Sequence, residues 1–120
     1  MPLTIVLAIG FDQSLLEPRT LALQSAGHVV ESASSLKEAI DRFQSGDFDL
    51  ILLCFSIPRQ DRDRLTTFFR RSGSRTPIVS IAGTPGEYDT FANATLEDDP
   101  KKLLAGIRDV LIGAEDTPAA

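Results

Sequence analysis

The sequence predicts an α/β fold, a doubly wound five-stranded parallel sheet flanked by helices, and two observations carry that expectation. Short runs dense in Val, Ile and Leu, such as Leu3 to Ile9 and Leu50 to Leu53, have the near-continuous apolar character of strands buried on both faces. They alternate with longer stretches whose apolar residues recur at helical spacing, and such alternation implies parallel strands joined by right-handed crossovers. At 120 residues the chain has room for one such domain with one core.

Leu3 to Ile9 is the first strand. A helix is expected from near Pro18, whose fixed φ suits a first helical position, to Gly27; the capping-box pattern Ser14-x-x-Glu17 offers a slightly earlier start. His28 to Ser32 is a short second strand. Ser35 and Glu38 form another capping box, ahead of a helix whose Leu36, Ala39, Ile40 and Phe43 share one face and which ends at Gly46. Phe48 to Phe55 contains the longest apolar run and is expected at the centre of the sheet, closed off by Pro58. A third helix covers Asp63 to Arg71, with Leu65, Phe68 and Phe69 inward and Gly73 beyond its end.

Pro77 to Ala82 is the fourth strand, and Phe91 to Thr95, interrupted by Asn93, a weaker fifth. Between them Gly83 to Thr90 is short for a crossover carrying a helix, and Pro85 and Gly86 favour a turn, so the fourth helix is expected to be missing or cut to one turn. Asp99 caps a last helix with Pro100 at its first position and an apolar stripe of Leu103, Leu104, Ile107, Val110 and Leu111. The domain is expected to span residues 1–113, with 114–120 a disordered tail.

Hydrophobic residues make up 42% of the chain and charged residues 24%, which excludes a disordered or fibrous protein. The net charge of −5 disfavours general binding to nucleic acid or anionic membranes. With one cysteine, Cys54, and one histidine there is no internal disulfide and no cluster with metal-ligand spacing, so a cytoplasmic home fits best. The apolar start lacks the basic flank of a signal peptide and the length of a membrane span.

Three local patterns invite chemistry. Gly83-Thr84-Pro85-Gly86 lacks the spacing of a phosphate-binding loop and reads as a turn. Glu97, Asp98 and Asp99 precede a helix whose dipole already accounts for negative charge there. Arg59, Arg62, Arg64, Arg70, Arg71 and Arg75, opposed only by Asp61 and Asp63, read either as a dock for an acidic partner or anionic nucleotide, or as a solvated helix face, the usual fate of a charge run.

Ala26-Gly27-His28, Ser35-Leu36-Lys37-Glu38-Ala39-Ile40, Asp47-Phe48-Asp49-Leu50-Ile51-Leu52-Leu53 and Ile57-Pro58 together resemble the receiver domain of bacterial two-component response regulators, without gaps from Ala26 to Pro58 and more loosely from Thr4 to Leu111. The resemblance implies a flavodoxin-like sheet with its working site at the strand carboxyl ends: a phosphoacceptor aspartate after the third strand, an acidic pair holding Mg²⁺ after the first, a hydroxyl after the fourth and a lysine after the fifth. In this sequence those positions fall on Cys54; on Gly10 and Phe11, or on Ile9 and Gly10 if the strand shifts by one, with Asp12 the only acid nearby; on Ala82, with Thr84 two residues on; and near Leu96.

Magnesium needs oxygen ligands, and acyl-phosphate formation needs a carboxylate nucleophile. The expectation is therefore a pseudo-receiver, an interaction module independent of phosphorylation, with no catalytic residue, cofactor or metal. Its protein partner or second copy is expected on the face near the fourth and fifth strands and the last helix, around Tyr88, Phe91, Leu104 and Arg108. The alternative is a thiol-based redox or small-molecule enzyme centred on Cys54. A third reading keeps phosphorylation at Asp12 or Asp61.

Overall fold

The sheet is built outward from its two most apolar strands, β1 (Ile5–Ile9) and β3 (Leu50–Leu53), which lie side by side with Val6 opposite Leu50 and Ile9 opposite Leu53. The computed structural model describes residues 4–82, 92, 94–97 and 99–116. β2 (Val29–Ala33) pairs with the outer edge of β1, and β4 (Ile78–Ala82) then β5 (Ala94–Glu97) extend the sheet beyond β3. All four pairings are parallel, in the order β2-β1-β3-β4-β5, which is the doubly wound architecture expected.

Four helices are present among the described residues: α1 (Gln13–Ser25), α2 (Leu36–Ser45), α3 (Arg59–Arg71) and α4 (Pro100–Asp116). α1 and α4 cover one face, where Leu16, Leu23, Leu103 and Ile107 join Val6, Ala8, Leu50, Leu52, Val79 and Ile81. α2 and α3 cover the other, where Ala39, Leu65 and Phe69 pack on Leu7, Ile9, Ile51, Leu53 and Ile78. Consecutive strand residues supply opposite faces, so an apolar run as unbroken as Leu50–Leu53 serves both layers.

Several boundaries differ from expectation, each for a local reason. α1 begins at Gln13 because Asp12 caps it: Oδ1 accepts from the Ser14 N–H at 3.0 Å and from the Ser14 hydroxyl at 2.6 Å. Pro18 lies inside this helix, where it forgoes one backbone donor. α3 starts four residues earlier than Asp63 because the Pro58 carbonyl accepts from the N–H groups of Asp61 and Arg62 at 2.9 and 3.0 Å. The α2 cap is as expected, with Ser35 Oγ accepting from the Glu38 N–H at 3.1 Å.

β5 begins at Ala94 instead of Phe91, since that register lets Ala94 and Leu96 pack on the α1/α4 layer. The connection from β4 therefore spans residues 83–93, and the expected loss of the fourth helix falls on 83–91 and 93, outside the described residues. α4 continues through Gly113 to Asp116, past the expected domain end; an interior glycine weakens a helix by only about 1 kcal/mol and need not stop it. The rest of the expected tail, 117–120, lies outside the described residues.

Candidate functional site

Because every strand runs the same way, the carboxyl ends of β1, β3, β4 and β5 meet along one edge, where an open α/β sheet places its ligands. Cys54 follows β3 directly. Its N–H donates to Ile9 O at 2.9 Å, its carbonyl accepts from the Ile57 N–H at 3.1 Å, and its side chain is wholly buried. It belongs to the apolar α1/α4 layer, together with Leu16, Leu52 and Ile81.

Gly10 follows β1 and is pinned by donating its N–H to Ala33 O at 3.0 Å. A Cβ at Gly10 would stand 3.2 Å from Cys54 Cβ, 3.3 Å from Leu16 Cδ1 and 3.4 Å from Cys54 Sγ. The space between the ends of β1 and β3 is thus already filled by Cys54 and Leu16. The Phe11 N–H donates to Ser56 Oγ at 3.1 Å, while its side chain packs against the opposite, α2/α3 layer. Asp12 is exposed, and its carboxyl is held below the ordinary value chiefly by the hydrogen bond from the Ser14 side chain. It serves the start of α1.

Ala82 ends β4, half-buried, opposite Glu97 in the register. Leu96 pairs with Ile81 and packs on the same layer as Cys54. A Cβ on Gly106 of α4 would lie only 2.5 and 2.6 Å from the two Cδ atoms of Leu96, so the leucine fills the space that the glycine leaves. On α4, Leu104 is partly buried and Arg108 exposed; Tyr88 and Phe91 lie outside the described residues.

The structure therefore brings Gly10 and Cys54 into contact, keeps Leu96 in the same apolar layer, and turns Phe11 and Asp12 away to other tasks. Sequence reasoning missed Leu16, Ser56 and Gly106. Only Gly106 carried a signal, as an unexplained glycine within an amphipathic helix.

No protein-family model matches the chain. It is 32% identical to the rice (Oryza sativa subsp. japonica) two-component response regulator ORR41 over 90 residues, covering 70% of this chain and 71% of the rice protein. The chain belongs to the response-regulator receiver family. Among solved structures, this receiver is similar to the Vibrio cholerae chemotaxis protein CheY4, with a TM-score of 0.79 and 25% identity over 91% of this chain and 99% of that one. The receiver domain of an HD-domain protein from Pseudomonas fluorescens superposes with a TM-score of 0.82 at 16% identity, covering 97% and 100% of the two chains. The Thermotoga maritima response regulator TrrA, solved in complex with Mg²⁺ and BeF, gives 0.77 at 18% identity over 91% and 99%. The plant relative extends the likeness beyond bacteria.

Proposed function

We propose that this receiver works as a signalling module by binding a protein partner, without taking up a phosphoryl group. The observation that carries the reading is the burial of Cys54 in the apolar core at the end of β3, with Gly10 closed against it. A phosphorylated receiver needs a carboxylate nucleophile there and an acidic pair for Mg²⁺. The donor set does not fit that ion: Gly10 has no side chain, Phe11 turns into the other layer, the Cys54 thiol is a soft ligand, and Asp12 is engaged as a helix cap.

Incubation with acetyl phosphate and Mg²⁺ is expected to leave the intact mass unchanged. A labile phosphoryl adduct, whether on Asp12, Asp61 or elsewhere, would overturn the reading.

We propose further that the partner, or a second copy of the chain, binds the face formed by β4, β5 and α4, a reading supported by the 45% exposure of Ile112 beside Leu104 and Arg108; Tyr88 and Phe91 belong to the same proposal. A cytoplasmic setting suits this role. Among the described residues no helix is long and apolar enough to cross a membrane.

The thiol-enzyme alternative requires an accessible, activated Cys54, and reactive cysteines sit in electropositive, partly exposed surroundings. Cys54 is 0% exposed within an apolar cluster. Alkylation of the native protein at neutral pH is expected to be slow and to track unfolding; rapid alkylation would favour the enzyme.

A further inference from the structure

α3 carries a charge pattern that the receiver site does not use. Between Arg59 and Arg75 lie six of the chain's twelve Lys and Arg residues but only two of its seventeen acids, so a local excess of four positive charges sits on a chain whose remainder is at −9. Arg64 and Arg71 are exposed on one side of the helix, two turns apart, with Thr67 exposed between them. Together with Asp63 and Phe68 they line a surface groove of about 410 Å³. A second groove, of about 350 Å³, adjoins it through the shared Thr67 and Arg71 and adds Thr66 and Arg70.

Phe68 gives this groove an apolar floor that is held in place. Its ring meets Phe43 edge-on at 5.9 Å and Phe69 at 6.1 Å, while Phe43 and Phe69 pack at 4.5 Å. Arg70, by contrast, is tied to its own chain, donating to Ser74 O at 3.2 Å and Thr76 O at 2.9 Å. A fixed aromatic surface between arginines is the composition that recurs in binding hot spots, because both present large contact area with directional charge.

We propose that the exposed face of α3 docks an acidic protein segment that places an apolar side chain over Phe68 between Arg64 and Arg71. Charge complementarity selects the acid. The body measures 34 × 32 × 27 Å, a few Debye lengths across, so at ordinary salt the basic face is screened from most of the acidic remainder, whose repulsion acts only on a ligand lying directly over it. An extended polyanion such as nucleic acid would meet that repulsion beyond α3, whereas a short segment with spaced carboxylates would not. This face lies across the sheet from α4, so its failure as a dock leaves the proposed β4, β5 and α4 interface untouched, and the converse holds.

The test is fluorescence anisotropy of a short labelled peptide alternating glutamate and leucine, titrated with the full chain at low and high salt. An all-glutamate peptide and a single-stranded DNA of equal charge serve as controls. The mixed peptide is expected to bind about tenfold more tightly than either control and to weaken with salt. The double variant Arg64→Glu, Arg71→Glu should weaken it by at least about tenfold, with circular dichroism and melting unchanged. If charge reversal disturbs folding, Arg64→Gln, Arg71→Gln should give a smaller loss in the same direction. Absence of binding, equal binding by a folded double variant, or preference for either control would overturn the proposal.

Discussion

Cys54→Asp is expected to lower stability at neutral pH by roughly 3–5 kcal/mol, the usual effect of an uncompensated buried charge, and not to create a phosphorylation site. The new carboxyl would stand where the thiol is wholly buried, against the Gly10 backbone and Leu16, with no group of acids able to hold a metal among the described residues. Desolvation would raise its folded-state pKa above the unfolded value of about 3.9. Below that value the carboxyl is neutral in both states and the penalty is small. As pH rises the unfolded chain ionises first, so stability falls until the folded-state pKa is passed and then levels. Urea melts of wild type and variant across this range should diverge with rising pH. A variant as stable as wild type at neutral pH would mean that the pocket admits water, and would undercut the reading of Cys54 as a core residue.

Phe69→Ala should be comparably damaging, by roughly 3–5 kcal/mol. Phe69 is fully buried and fills the α2/α3 layer between Phe43 and Phe68, where removal of its ring leaves a cavity that strands and helices on both sides keep open. Since a domain of this size holds only about 5–15 kcal/mol in total, the variant would lose a large share of its stability. The shift of the urea midpoint measures it. A loss below about 1 kcal/mol would mean that Phe43 and Phe68 close the gap, well under the range that such truncations show.

The sheet was legible because parallel strands buried on both faces need unbroken apolar runs, and Leu50–Leu53 is one. Helix ends with a side-chain cap followed by a clear apolar stripe were legible as well: Ser35 and Asp99 cap where expected, the latter accepting from the Lys101 N–H at 3.2 Å. Ends without such a signature were not. Pro58 begins α3 through its carbonyl alone, and Pro18, read as a first helical residue, sits within α1 because Asp12 had already started the helix. β5 was misplaced because its register is set by where Leu96 packs, a tertiary fact.

For the candidate site the resemblance offered positions one by one, but not their arrangement. That Gly10 and Cys54 touch follows from β1 pairing with β3, and nothing local in the sequence records the distance. The turning of Phe11 into the far layer depends likewise on strand alternation at a position just past β1, where periodicity no longer guides the reading.

The fit of Leu96 over Gly106 bears on which substitutions the domain tolerates. Alanine at 106 alone would press on a leucine 2.5 Å away, and lysine at 96 alone would leave the hollow above the glycine unfilled while carrying a charge into an apolar layer. Residues in such contact do not act independently, so the effects of substituting both positions are expected not to add. Packing alone thus ties residue 96 to residue 106, apart from any part either plays in signalling.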